Sequence, residues 1–313
     1  MKKELFSLNS KADGLSLSTA ITAPDNIENA KGAIQIVHGM IEHKERYYPL
    51  MEWLSGHDYI CIINDLRGHG LSVSGPDGLG YMGEGGWQAL VDDIKTVGDW
   101  AREEFSGLPF TLLGHSMGSL AVRSYLKRYD STLDLLVVCG SPSDNPAKSA
   151  GKMLARAIGG VKGWHHRSSL LQKISFNGYN DAFTGDGFDR AWVCSDKEIL
   201  KAYHEDPLCS FTFTANGFYN LFGMMQDCYG KDGWNVTKPE LSIRFISGGL
   251  DPCRISDKDY DKAVESVRSH GYTNVRSRLY PDMRHEILNE TGKQAVWNDL
   301  LTEMDSCSDT TNR

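Results

Sequence analysis

The sequence predicts an α/β fold: a doubly wound, mostly parallel sheet of eight strands with a mainly helical cap inserted into it. Three observations carry that expectation. Apolar strand-like runs alternate with stretches of helical spacing, the pattern of βαβ units. The alternation halts between about residues 141 and 238 and then resumes. A chain of 313 residues, 40% hydrophobic and 24% charged, is long enough for one large domain with an ordinary core.

Strands are expected over residues 3–8 and 15–22, parted by a turn-like stretch over 10–14, and then over 33–37 and 59–64. A helix between the last two carries Tyr47, Tyr48, Leu50, Met51 and Leu54 and stops at Gly56. Trp87, Leu90, Val91, Ile94, Val97 and Trp100 recur at helical spacing and give one buried face. The alternation continues with a strand over 109–113, a helix over 117–128 and a strand over 133–139. After the interruption come a strand over 241–246, a helix over 257–269, a strand over 274–280 and a helix over 291–304. The organisation is therefore a core in two parts, 1–140 and 239–305, a cap over 141–238 and a frayed polar tail over 306–313. A structureless loop as long as the interruption is implausible. An insertion there covers the carboxyl edge of the sheet, where open α/β sheets bind ligands.

Gly114-His115-Ser116-Met117-Gly118 places a GxSxG pattern between an apolar strand and a helical run. A strand-to-helix turn that lifts a serine to the sheet edge is crowded, and glycines two residues to either side leave room for the backbone. The pattern alone arises by chance in a glycine-rich chain; its position makes Ser116 the candidate nucleophile. A serine hydroxyl needs a positioned base, and this arrangement orders the partners Ser, Asp/Glu, His along the chain. His285 follows the last predicted strand and fits as base. His270, at a helix end, and the adjacent His165 and His166 fit less well. Asp251 follows the preceding strand through a glycine turn and fits as the acid that orients the base. Its rivals are Asp257, expected to cap its helix, and Asp282, on the histidine's own loop. The oxyanion of acyl transfer needs preorganised donors. The Met117 N–H, at a helix start, and the Met40 N–H, in Val37-His38-Gly39-Met40, are the candidates.

Four segments resemble one known family: His38-Gly39-Met40-Ile41-Glu42-His43 with Arg46-Tyr47, Asp65-Leu66-Arg67-Gly68-His69-Gly70-Leu71-Ser72, Gly114–Gly118, and His285-Glu286-Ile287-Leu288-Asn289-Glu290. They are similar to the monoacylglycerol lipase and lysophospholipase branch of the α/β-hydrolases, which is grouped with the serine aminopeptidases (S33 type). The resemblance covers most of the chain in order and matches the inserted cap only loosely. It implies an α/β-hydrolase fold, a Ser116–Asp251–His285 triad, oxyanion donors at Met40 and Met117, and a cap over an apolar acyl tunnel. Arg67 and His69 are expected to brace the oxyanion loop; Glu42, His43 and Glu286 receive no assignment. Prolyl iminopeptidase relatives carry extra glycine after the His-Gly step, where this chain has Met40-Ile41-Glu42. That difference favours lipid and ester substrates.

The leading expectation is a serine carboxylester hydrolase acting on monoacylglycerols or lysophospholipids (EC 3.1.1). An aminopeptidase or amide hydrolase on the same triad is the alternative, with Glu205 or Asp206 as candidate holders of a substrate amine. A non-catalytic binding scaffold is the third. A net charge of −8 argues against a nucleic-acid partner. Neither a cofactor nor a metal is expected, and the partner is a small lipid or ester. The seven cysteines show no CxxC pair and read as reduced thiols. No apolar stretch follows the first lysines and no run reaches the length of a membrane span, so the expected location is the cytoplasm. Aromatic and methionine residues in the cap suit an acyl chain. Basic residues early in the cap, Lys148 to Lys173, allow at most a transient contact with a membrane surface.

Overall fold

Strands covered by helices on both sides need no polar alternation. The four central runs, β3 (Gly32–Val37), β4 (Tyr59–Asn64), β5 (Phe110–His115) and β6 (Leu135–Cys139), are buried at every position. The protein, a computed structural model that describes residues 2–311, adds β1 (Lys2–Asn9), β2 (Ser16–Ala23), β7 (Ser242–Gly248) and β8 (Val275–Tyr280). Among the described residues these eight strands form one sheet in the order β1-β2-β4-β3-β5-β6-β7-β8. β2 runs antiparallel to both neighbours, and every other pairing is parallel.

Successive side chains of a strand enter opposite helix layers. Ile60 and Ile62 pack with α2 (Gly86–Glu104), α3 (Met117–Tyr129) and α8 (Asp257–Arg268) through Leu90, Ile94, Leu120 and Val264. Cys61 and Ile63 pack with α1 (Tyr48–Ser55) and α9 (Lys293–Thr311) through Leu50, Met51, Trp297 and Leu300. The expected frayed tail from 306 is corrected in part: α9 continues through Thr311. Tertiary contacts explain the extension. Cys307 packs on the sheet, and the Tyr59 hydroxyl bonds Asp305 at 2.9 Å and Ser308 at 3.3 Å. Residues 312 and 313 of that expected tail lie outside the described residues.

Between β6 and β7 lie α4 (Lys148–Lys162), α5 (Ser169–Phe176), α6 (Lys197–Glu205) and α7 (Ala215–Tyr229). Phe213, Phe218, Phe222, Met224 and Met225 of this segment join the core beneath α2 and α3, so it shares the sheet's core. Trp192, Val193, Cys194 and Leu200 form a smaller cluster that includes Cys253 from beyond β7. Among the described residues no helix is long and apolar enough to cross a membrane.

The chain leaves β3 toward β4 on one side, and β5 lies on its other side. The carboxyl ends of β3 and β5 therefore straddle a topological switch point, where this architecture opens a crevice. His38–Met40 and Ser116 emerge there.

Candidate active site

Ser116 sits between β5 and α3 with φ +54° and ψ −119°, a backbone region that L residues rarely adopt. The neighbouring glycines make this turn possible. A Cβ on Gly114 would lie 2.5 Å from the Gly118 oxygen, and one on Gly118 would fall on the carbonyls of Val37 and His38. Gly118→Ala is therefore expected to cost about 1–3 kcal/mol by overpacking. The urea midpoint reads the loss; an unchanged midpoint would mean that α3 does not press on the end of β3.

Asp251 lies beyond β7, after Gly248 and Gly249. Cβ atoms at these glycines would strike the backbone of Pro281, Met283 and Arg284, so the pair lets the acid loop close on the histidine loop. Its Oδ1 accepts the Cys253 N–H at 2.8 Å and its Oδ2 the Ser247 hydroxyl at 3.1 Å. Oδ2 also lies 2.9 Å from His285 Nδ1. Burial of this carboxyl opposes its charge, but His285 and the two hydrogen bonds outweigh that and hold it below the usual carboxylate range. With Nδ1 engaged, Nε2 is the nitrogen left for chemistry. The His285 N–H meets the Trp192 carbonyl at 3.4 Å, and the Trp192 ring stands 5.0 Å from the imidazole. The inserted segment thus holds and covers the histidine loop.

Among the described residues neither the Met40 N–H nor the Met117 N–H meets a protein acceptor. The preceding Gly39 N–H, by contrast, donates to Glu42 Oε1. Glu42 is a hub that sequence reasoning left without a role. It also accepts from Tyr47 at 3.1 Å, from Arg46 at 3.1 Å and from His115 Nδ1 at 3.0 Å. Arg46 in turn grips Glu286 with both terminal nitrogens, at 2.5 and 2.6 Å. Burial opposes charge on Glu42, Arg46 and His115, yet the pairing holds Glu42 well below its usual range and His115 above its own. These contacts fasten the loop carrying Met40 to the residues flanking Ser116 and His285.

The expected bracing by Arg67 is corrected. Its guanidinium bonds Asp93 at 2.7 Å, Asp13 at 2.9 Å, Ser10 at 3.1 Å and the Met82 carbonyl, away from the oxyanion loop. Asp65 and His38 act there instead. Asp65 accepts from the Lys44 N–H at 2.9 Å and from its ammonium at 2.7 Å, and His38 Nε2 accepts the Leu66 N–H at 2.9 Å. His69 does reach this region, its ring 5.2 Å from that of His38. Asp257 does not cap α8; Ser256 does, and Asp257 is exposed against Arg254. Asp282 and Glu205 are exposed, and Asp206 is bonded to His43. His270 and His165 stack on Trp234 and Tyr81.

Two cavities meet at Ser116, sharing Met40, Phe176 and Trp192. One, of about 480 Å³, is the more polar: Gln172, Asn180, Asp189, Arg190, His285 and Glu286 are among its lining. The other, of about 260 Å³, is apolar, lined by Leu120, Leu154, Ile174, Tyr179, Phe222 and Met225. Sequence reasoning assigned no individual residue to contact with an ester substrate. Of the cap aromatics, Phe176, Tyr179, Trp192 and Phe222 face these spaces, while Phe213 and Phe218 are core.

The family model described as serine aminopeptidase, S33, matches residues 28–292. The chain is 33% identical over 282 residues to a monoglyceride lipase of Mus musculus, covering 83% of this chain and 80% of that protein. It is 24% identical over 290 residues to a monoacylglycerol lipase of Mycolicibacterium smegmatis, covering 92% of each. A thermostable carboxyl esterase from Bacillus coagulans, solved with glycerol, superposes with a TM-score of 0.87 at 21% identity, over 98% of this chain and 99% of that one.

Proposed function

The chain belongs to the serine aminopeptidase S33 family, and from that membership we propose that it is a carboxylester hydrolase of monoacylglycerol- or lysophospholipid-like esters. One observation carries the substrate class: two cavities open at Ser116, one lined mainly by apolar side chains and the other richer in polar and charged ones. An ester whose acyl chain fills the first and whose alcohol fills the second places its carbonyl at the hydroxyl. The murine and mycobacterial relatives, named for cleaving such esters, support this reading.

In the proposed reaction Ser116 Oγ attacks the carbonyl while its proton passes to His285 Nε2. Asp251 holds the imidazole by Nδ1 and stabilises the imidazolium. The Met40 and Met117 N–H groups receive the oxyanion as charge develops. Collapse of the intermediate breaks the bond to the alcohol, which leaves with the proton from Nε2. Water, deprotonated by the same nitrogen, then releases the acid from Ser116.

Exposed Met153 and Val161 share α4 with Lys148, Lys152 and Lys162 and suit brief contact with an anionic lipid surface. Cys61, Cys139, Cys194, Cys209, Cys228 and Cys253 are buried thiols, which favours the cytoplasm as location.

A substrate panel tests the proposal. Each methylene buried adds about 0.8 kcal/mol, roughly fourfold in kcat/KM, so the rate should climb steeply from short to medium acyl esters. Presenting the ester in anionic vesicles should raise it further. A flat response to chain length, or aminoacyl amides cleaved faster than every ester, overturns the lipid reading.

A further inference from the structure

We propose that His43, Asp206 and Cys209 form a divalent-metal site, suited to zinc, where the oxyanion loop meets the inserted segment. A donor atom from each of the three lies within 4.8 Å of the others. Asp206 caps the turn Pro207–Cys209 with Oδ1, which accepts the Leu208 N–H at 2.7 Å. Its Oδ2 is left facing His43 Nε2 at 2.8 Å. His43 and Cys209 are buried, whereas the Asp206 side chain keeps 28% of its surface, so an ion has a way in.

Imidazole, thiolate and carboxylate together are zinc's donor set, and three protein ligands leave a fourth position for water. Bonds of about 2.0–2.3 Å in tetrahedral geometry separate the ligands by roughly 3.3–3.6 Å. The His43–Asp206 contact therefore opens by about half an ångström, and Cys209, whose sulfur lies within 4.8 Å of both, closes by at most ~1.5 Å. Charge also balances, because one thiolate and one carboxylate neutralise a dication. The thiol proton is released to solvent as the Zn–S bond forms. Arg46, the cation near Cys209, is already paired with Glu42 and Glu286 and does not need the thiolate. A bound ion would pin the turn at 207–209 to the loop that carries Met40.

Asp251, Cys253 and His285 also lie within such a distance, but there the carboxylate is wholly buried, with no opening for an ion, and its Oδ2 already takes a second donor, the Ser247 hydroxyl, beside His285. The two clusters give different results with one pair of variants. Metal-free full-length protein is titrated with Zn²⁺ by calorimetry, and with Co²⁺ while the thiolate-to-cobalt charge-transfer band is followed. The wild type should take one zinc and develop the band. Cys209→Ser should lose the band and bind zinc at least ~10-fold more weakly, the loss that even an outer-shell partner causes; Cys253→Ser should keep both. Asp206→Asn, which retains the turn's capping oxygen, should also weaken zinc and serves if Cys209→Ser does not fold. No zinc uptake by the wild type overturns the proposal. So does unchanged binding in Cys209→Ser or Asp206→Asn, or a band lost in Cys253→Ser.

Discussion

Ser116→Ala is expected to lower kcat for ester hydrolysis by about 10⁵–10⁶-fold and to abolish labelling by a fluorophosphonate. The residual rate over water should be ~10³–10⁴-fold, because the oxyanion donors and both cavities remain. The fold should survive, since alanine is smaller than the serine it replaces and the backbone strain is unchanged. That strain gives a second readout. At φ +54° any side chain opposes the turn, and only glycine relaxes it. Ser116→Gly should therefore unfold at higher urea than Ser116→Ala, by about 1 kcal/mol, although both are inactive. Labelling retained in Ser116→Ala would place the nucleophile elsewhere. Equal midpoints for the two variants would mean that the turn stores no strain.

Much of the scaffold is local in sequence and was legible there. Runs such as Tyr59–Asn64 are apolar at nearly every position because both faces are covered, and the helical spacing between Trp87 and Trp100 reports one buried face. The candidate triad was legible because each member follows a strand end, and a parallel sheet gathers such ends on one edge. What escaped is what depends on side chains meeting across the chain. Arg46 and Glu286 are 240 residues apart, and nothing in either segment names the other as partner. The same holds for Lys44 with Asp65, and for Arg67, whose neighbours in sequence pointed to the oxyanion loop while its guanidinium reached Asp93 and Asp13. The meeting of two cavities at Ser116, one richer in polar side chains than the other, was also hidden. Phe176, Tyr179 and Trp192 lie where only the eight-residue α5 and single turns form, so no helical periodicity marks them as facing the cavity.

Asp251→Asn should lower kcat by about 10⁴-fold, whereas Asp282→Asn should leave it unchanged. The geometry says why an isosteric amide fails. Oδ1 accepts the Cys253 N–H, so the amide oxygen of asparagine must take that place and its NH₂ must face His285 Nδ1. A donor there forces Nδ1 to accept, which puts the imidazole proton on Nε2, where it cannot take the proton of Ser116. Asp282 is exposed on the loop before His285 and offers no competing carboxylate. Because Asp251 is held below the usual range, it is ionised above about pH 4 and adds no limb to the pH–rate profile there. Its contribution to stability is complete above an unfolded pKa of ~3.9 and is lost as pH falls through the lower folded value. In Asp251→Asn that acid-induced loss should shrink. Steady-state kinetics of the two asparagine variants decide the assignment. A comparable loss in Asp282→Asn, or a mild one in Asp251→Asn, would remove Asp251 from the triad.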